Sequence, residues 1–500
     1  MPPATLTHAE RMPIIVGALV TLLLAAIDQT IVAPALPTIG RDLGHPEWLS
    51  WVVSAYFLTS TAVTPLYGKL ADLEGRRPTL YVAVGLFTVG SIACAAAPNM
   101  AVLILGRALQ GLGGGGLVAL VQTIIGDVVP PIERGRYMVY ISAVWATASL
   151  SGPLIGGLFA EHLSWSLIFW VNLPIAAVAV VMIHRSMRRI ADVRRPARLD
   201  LVGSALVVGA TVALMLALTW GGRTLPWGSI EILALLGGSV VLFAGFARHV
   251  ARTEEALIPV PILAHPVIAS ASSAMFFATG AQVGLAVFAP LWFTLVHGLG
   301  PAQAGLGLMA LSVGTVIGAN LAGRASRHMR HYRRFAQCGL VIAVVCDIGL
   351  ALGAGRLGFW SGELLLFGAG AGTGTLFPIS MIAVQNAVER RDLGVATGTL
   401  AFLRSLGSVV TVAVFGAALG LSGLSGGDAV GHAADAPAVA GTGVAFARIF
   451  ALAALWQVIA IAILFLLEER PLRDRSDEAA RPEGEGPALT ASAPPDRSGR

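Results

Sequence analysis

Charge is scarce in this chain. Of its 500 residues only 12% are charged while 56% are hydrophobic, and lysine occurs once, at Lys69. With a mean hydropathy of +0.77, that poverty excludes a water-soluble globular protein. No Gly-x-x-x-x-Gly-Lys-Ser/Thr run is present, so a P-loop ATPase is excluded and energy must come from a gradient or a separate subunit. Cysteine is equally sparse. Cys94, Cys338 and Cys346 lie in or beside apolar stretches without CxxC or His-Cys spacing, which gives neither a disulfide framework nor a metal site. His-Glu-x-x-His, Ser-His-Asp and Cys-His arrangements are missing too, which argues against catalysis by the chain. The pI near 9.5 does not signal nucleic-acid binding, because the arginines are spread over many short loops.

What is abundant is long apolar sequence. A span needs roughly 20 mostly apolar residues to cross about 30 Å of hydrocarbon. Fourteen stretches qualify: 13–34, 49–68, 78–97, 101–125, 137–160, 165–183, 200–220, 230–248, 266–295, 302–323, 335–354, 362–384, 394–420 and 446–467. The first is longer than a signal-peptide core, contains Asp28 and has no small-residue cleavage site after it, so it is expected to be retained. Placing the N-terminus inside puts 27 of the 33 Lys and Arg residues on the cytoplasmic side, and the positive-inside bias then fixes both termini in the cytoplasm. The stretch 471–500 is rich in Pro, Ser, Ala and charge, the composition of a disordered tail.

A weak internal repeat divides the chain. Leu70-Ala71-Asp72-x-x-Gly75-Arg76 after span 2 is echoed, without its acid, by Leu321-Ala322-Gly323-x-x-Ser326-Arg327 after span 10. The glycines of span 4 (Gly111, Gly113 to Gly116) are echoed in span 12 by Gly368, Gly370, Gly372 and Gly374. The expected fold is an all-α membrane protein of two six-helix halves, residues 1–190 and 256–468, with helices 7 and 8 inserted over 191–255 and a tail over 469–500.

The few charges inside the spans are the candidate chemistry. Asp28 sits deep in span 1, where a carboxylate must face a cavity, pair with a cation or hold a proton. At about 1.5 Å per residue it lies roughly 22 Å from the inner edge of span 1, while Arg107 lies about 9 Å from the outer edge of span 4, at nearly the same depth. The two are therefore expected to communicate across a cavity as a proton-coupling pair. After span 2, Gly68-Lys69-Leu70-Ala71-Asp72-Leu73-Glu74-Gly75-Arg76-Arg77-Pro78 is a charged loop between apolar stretches. Asp72 suits the positive end of a neighbouring helix, Arg76 and Arg77 suit acids at helix ends, and Asp127 at the inner end of span 4 is a partner for them. In span 5, Gly152, Pro153, Gly156 and Gly157 combine a proline kink with small residues, a flexible helix interface. Gln29, Thr30, Gln110, Gln282, Asp347 and Arg404 are the polar candidates for a substrate cavity, with Asp347 either a second protonation site, a determinant for cationic substrates or a partner of Arg404. The run Trp165 to Pro174 reads mainly as an interfacial aromatic anchor.

Taken together, the loop after span 2, Arg107 with the glycines that follow it, and Ser151-Gly152-Pro153-Leu154-Ile155-Gly156-Gly157 resemble the signature motifs of the major facilitator superfamily. The resemblance is to its drug/proton antiporters with fourteen spans. Trp165 to Pro174, Pro301 to Leu306, Gln385 to Val388 and Phe402 to Gly407 resemble the same group, so the likeness covers residues 13–467. It implies a secondary transporter of the bacterial inner membrane, not an enzyme. Such a protein exports lipophilic or amphiphilic small molecules in exchange for protons, with no cofactor beyond the proton gradient. It further implies that Asp72 pins the second half in the outward-open state, with Arg76 and Asp127 relaying charge. The implied partners are substrate, protons and membrane lipids, not nucleic acid, and a periplasmic adaptor protein is left open. Two alternatives stay in view: a dedicated exporter of one metabolite or self-made antibiotic, and a membrane-embedded enzyme acting on lipids.

Overall fold

The computed structural model describes residues 8–45, 48–129, 131–186, 199–222, 224–253, 256–299, 307–326, 332–389, 392–420 and 442–469. The Pro301–Leu306 motif, Arg327, most of the Arg-rich stretch after span 6 and the 471–500 tail lie outside these residues. In hydrocarbon every backbone N–H and C=O must be satisfied within its own segment, and the chain answers with helices throughout. The first half contains α1 (His8–Ile31), α2 (Leu49–Glu74), α3 (Arg76–Ala95), α4 (Met100–Val128), α5 (Pro131–His162) and α6 (Asn172–Ser186). The inserted pair is α7 (Leu201–Trp220) and α8 (Ile230–Val250). The second half contains α9 (Pro266–His297), α10 (Leu308–Ala325), α11 (Tyr332–Gly353), α12 in two segments (Phe359–Gly374 and Leu376–Ala387), α13 (Leu393–Gly420) and α14 (Thr442–Phe465). Thirteen helices among the described residues are long and apolar enough to cross a membrane, which makes this a multi-pass membrane protein. The sequence reading gives fourteen. The one outside the thirteen is α2, 26 residues long, which carries four Ser and Thr residues over 59–64 and the charged loop at its end.

Two boundaries differ from expectation for identifiable reasons. Helix α2 runs six residues past position 68, through Asp72 to Glu74, and stops only because Gly75 adopts φ +99°, a conformation that side chains rarely tolerate. Span 12 is weakened at Thr375, because Pro378 has no N–H for the Gly374 carbonyl four residues earlier, though the Thr375 backbone stays helical and the span continues to Ala387.

Small residues let the helices close on one another. Gly113 of α4 lies on the backbone of Ala83 and Phe87 in α3, and Gly372 of α12 lies in the same way on Gly339 and Ala343 in α11. Gly115 meets Ser60 of α2, and Gly374 meets Thr315 of α10. These contacts set the register of the two halves, and that register displaces the echo of the charged loop by one helical turn. Ser60 corresponds to Thr315, whereas aligning Leu70 with Leu321 would place it at Leu311.

The halves meet along α2 with α13 and along α5 with α10. Helix α7 of the inserted pair rests on both α2 and α13, so it covers one of these seams, and Trp220 at its end packs edge-on against Trp51 of α2 at 5.9 Å. The insertion is anchored by Asp200. Its Oδ1 accepts from Gly203 N (2.8 Å) and from His249 Nε2 of α8 (2.8 Å), and its Oδ2 accepts from Leu257 N (3.1 Å), in the segment leading to α9. Burial by itself would raise the Asp200 pKa, but the N–H of Gly203, the imidazole and the N–H of Leu257 outweigh it and hold the carboxyl below its usual value. A lowered carboxyl stabilises the fold above the ordinary carboxylate range, and the contribution is lost as pH falls through the lowered pKa. Asp200→Ala is expected to lower stability at neutral pH by about 1–2 kcal/mol and to flatten its acid dependence. Thermal unfolding of the purified protein in detergent across a pH series checks both.

Candidate functional site: a buried charge cluster and a contact between the halves

Four helices of the first half converge on Asp28. Its carboxylate is fully buried and accepts three side-chain hydrogen bonds: Oδ2 from Arg107 Nη1 (2.7 Å), and Oδ1 from Gln110 Nε2 (2.7 Å) and Asn172 Nδ2 (3.1 Å). Arg107 is 1% exposed, with Nε donating to the Val52 carbonyl (2.9 Å) and Nη1 also reaching Gln110 Oε1 (2.6 Å). The guanidinium lies over the Tyr56 ring at 4.5 Å and faces Phe169 at 5.8 Å, so its open sides are covered by aromatic π-faces. Ser91 Oγ accepts from Gln110 Nε2 (2.9 Å) and Asn172 Nδ2 (3.3 Å), closing a network across α1, α3, α4 and α6. A bare carboxylate or guanidinium here would cost several kcal/mol, and this arrangement meets the cost by pairing each with the other and with amides.

The expected pair is therefore in direct contact instead of facing across a cavity, and Gln110 belongs to the cluster, not to a cavity wall. Sequence reasoning did not include Ser91 or Asn172. Asn172 stands inside the run Trp165 to Pro174, whose composition is that of an interfacial anchor. In fact Trp165 and Phe169 are buried and pack edge to face, which carries Asn172 inward; Trp170 alone of these three is exposed. The span-5 motif bears directly on the helix of Asp28. Gly152 packs on the Thr30 hydroxyl and Gly156 on the Ile31 carbonyl, so any side chain at either would push α5 off α1. Thr30 Oγ1 donates to the Ala148 carbonyl at 2.8 Å and ties the two helices together. Pro153 is exposed, Gly157 has open space beside it, and Gln29 is half-buried.

A second constellation joins the halves at the bundle face where α1 begins and α14 ends. Asp72 accepts from Gly394 N (3.0 Å) and Val395 N (2.8 Å), so it caps the N-terminus of α13 from the opposite half. Arg76 pairs with Asp72 and, through Nε, with Asp127 Oδ2 at 2.8 Å. Gly68 approaches the Gly394 carbonyl and Gly398 closely, and Gln385 Nε2 adds a hydrogen bond to the Gln122 carbonyl at 3.1 Å. Arg77 takes no part in this contact; its guanidinium goes to Tyr81 (3.1 Å) and His184 (3.2 Å) in its own half. Gly394 and Val395 could not be found from sequence, since their contribution is backbone N–H at a helix start.

The remaining candidates are dispersed. Gln282 donates to Thr315 Oγ1 (2.6 Å) between α9 and α10, and Arg404 is half-buried on α13. Asp347 is fully buried on α11 and lines no cavity in this conformation; neither of its oxygens has a partner, so it is not paired with Arg404.

A family model described as Major Facilitator Superfamily matches residues 18–412. Multidrug resistance protein 3 of Bacillus subtilis is 32% identical over 418 residues, covering 83% of this chain and 81% of that protein. An uncharacterized MFS-type transporter of Mycobacterium tuberculosis is 33% identical over 494 residues, covering 94% and 71%. Efflux pump FUS6 of Gibberella moniliformis is 33% identical over 426 residues, covering 83% and 75%. Among solved structures, the fold is similar to a proton:xylose symporter (TM-score 0.64, 13% identity, 92% of this chain and 96% of that one). It is also similar to the human organic anion transporter MFSD10 (TM-score 0.62, 17% identity, 92% and 100%).

Asp72→Asn keeps the shape of the contact between the halves but removes the charge shared with Arg76 and the α13 N-terminus. A charge-assisted hydrogen bond contributes about 1.5–3 kcal/mol, so the variant is expected to shift the population towards separation of the halves at this face by on the order of tenfold or more. Spin labels on the ends of α2 and α13, read by pulsed electron resonance, should report a longer distance; an unchanged distance distribution would show that Asp72 does not hold the face closed.

Proposed function

The chain belongs to the major facilitator superfamily and is an efflux-type transporter, not an enzyme, and from that premise we propose that it exports hydrophobic or amphiphilic small molecules in exchange for protons. The observation that carries this reading is the sealed Asp28–Arg107 pair in one half, combined with a charge-assisted contact that, among the described residues, joins the halves at one face of the bundle. In this reading that face is cytoplasmic, and the conformation is closed to the cytoplasm.

The coupling follows from the chemistry of the pair. A proton on Asp28 removes the negative charge that Arg107 faces and replaces one acceptor site with a donor. Arg107 would then be a buried cation with only the Val52 carbonyl, Gln110 and two aromatic rings around it, a penalty of several kcal/mol. The relief is movement of α4 against α1, so proton loading and helix rearrangement become one event. Because Gly152 and Gly156 of α5 seat directly on α1 at Thr30 and Ile31, that motion passes to α5 and to its seam with α10. Asp28 is sealed in the present conformation, so the proton arrives when α1 has parted from its neighbours. A membrane potential of 100 mV supplies about 2.3 kcal/mol per charge moved, enough for roughly fiftyfold accumulation per proton before any pH gradient is added.

A second reading is a dedicated exporter of one metabolite, and Arg404 favours it. This half-buried cation has no ion pair among the described residues, so an anionic group on a preferred substrate would complete it. A substrate panel with matched anionic, neutral and cationic compounds separates the two readings.

The direct test uses proteoliposomes of known orientation, an imposed pH gradient and a fluorescent lipophilic cation. Asp28→Asn is expected to reduce gradient-driven transport at least a hundredfold while the protein inserts and purifies normally. Gradient-driven transport at the wild-type rate in that variant would sink the assignment of Asp28.

A further inference from the structure

Asp347 is the one fully buried carboxylate of the described spans that has no partner. It is 0% exposed, and both carboxylate oxygens are shut off from solvent without a hydrogen-bond donor or a cation. The interface of α11 with α12 and α14 at this level is apolar, built from residues such as Leu350, Leu366, Ala369 and Phe450. The titratable groups of the packed elements point elsewhere or are neutral. Cys346 is the chain neighbour and packs on Gly368, Glu363 of α12 faces the α10 side beside Gly307, and Arg448 of α14 lines a groove with Ala418 of α13. The inner segment of α12, Leu376–Ala387, carries no ionisable side chain.

The position is not arbitrary. Gly113 packs on Ala83 and Phe87, and Gly372 packs on Gly339 and Ala343, so Phe87 corresponds to Ala343 and, one turn further on, Ser91 corresponds to Asp347. Ser91 is the hydroxyl that Gln110 and Asn172 share with Asp28. Counting back from Gly372 as from Gly113, the places of Arg107 and Gln110 are taken in α12 by Leu366 and Ala369. The second half therefore keeps a polar centre at the repeat-related point, holding an acid where the first half has a hydroxyl and lacking the cation and amide in α12; the buried amide of α14, Gln457, donates to Thr373 (2.7 Å). With nothing else to neutralise it, the carboxyl at this point must carry its own proton.

The element covering Asp347 is also one weakened by a proline. Helix α4 of the first half has no proline from Met100 to Val128, whereas α12 lacks the helix hydrogen bond between Pro378 and the Gly374 carbonyl. Its inner segment is bound to the opposite half through Gln385 and Gln122, while its outer segment meets α11 with Gly368 and Gly372, which present no side chains. When the halves part at that face, the inner segment is released or drawn along, the hydrogen bond missing at 374–378 lets α12 bend there, and the glycine face slides on α11.

We infer that Asp347 is a second proton-binding site of this transporter, loaded in the conformation described here and opened to the aqueous interior when α12 bends at Thr375. The step is the simple equilibrium of a carboxyl with its carboxylate and a proton, and no other bond changes. This inference rests on the proton-antiport reading and adds to it one proton per cycle from the second half.

Asp347→Asn tests it, because the amide copies the shape and neutrality of the loaded carboxyl but cannot release a proton; Asp347→Leu, matched to the apolar surroundings, is the second variant should the amide impair folding. The measurement is the number of protons per substrate, from the membrane potential that nulls net transport in proteoliposomes. It is paired with infrared difference spectra of the carboxyl C=O stretch between substrate-free and substrate-saturated protein. The expected result is a proton count lower by one in the variant and loss of one carboxyl band that changes in the wild type. A wild-type protein that couples to protons, with an unchanged count and unchanged bands in both variants, would overturn the second site alone. A wild type with no gradient-driven transport would overturn the antiport reading itself, and this inference with it.

Discussion

The guanidinium of Arg107 is the point on which the first half is organised. A permanent cation at this depth needs acceptors and covered faces, and here these come from Asp28 of α1, the Val52 carbonyl and the Tyr56 ring of α2, Gln110 of α4 itself and Phe169 of the turn before α6. The demand of one side chain thus fixes the mutual placement of four segments. In the proposed exchange the cluster would have two states: complete with the carboxylate charged, and short of one anion with it neutral. A buried ion pair of this kind contributes little net stability over an apolar replacement, so its physical value lies in that two-state response.

The contact between the halves at the termini face has a different character. Asp72 binds backbone N–H groups at the start of α13, a partner that exists whatever side chains α13 carries, and Arg76 ties it to Asp127 so that the acid remains placed when α13 leaves. Between this contact and the Arg107 cluster run α2 and α4, packed through Gly111 and Gly115 on the backbone of Tyr56 and Ser60. Stiff helices with close backbone contact carry a displacement from one site to the other with little loss.

The two halves share a packing scheme but not its chemistry. Corresponding glycines hold corresponding helices together in α3–α4 and α11–α12, yet at the points matching Arg107, Gln110 and Ser91 the second half has Leu366, Ala369 and Asp347, and α12 carries a proline that α4 lacks. The first half resembles a rigid coupling unit. The second has the proline-bearing α12, Arg404 without an ion pair among the described residues, and beside it the inserted pair, whose α7 covers the seam between α2 and α13.

Sequence by itself determined the class, the helices and the identity of the main charged groups. Long apolar runs interrupted by rare charges leave few alternatives in a medium where a lone charge is expensive, so Asp28 and Arg107 stand out on energetic grounds, whereas Asp72 and Asp127 stand out as charges at span ends within a motif. The tertiary structure decided which groups meet. Asn172 was hidden in an aromatic run because its role depends on Trp165 and Phe169 turning inward. Gly394 and Val395 contribute backbone, which has no sequence signature. Arg77, equal to Arg76 in sequence, points to the other side of its helix and binds Tyr81 and His184. Asp347 read as a cavity residue because hydropathy reports that a carboxylate lies within a span and not which way it faces. Burial and partnership are properties of pairs of helices, and a one-dimensional pattern fixes depth along a helix far better than rotation about it.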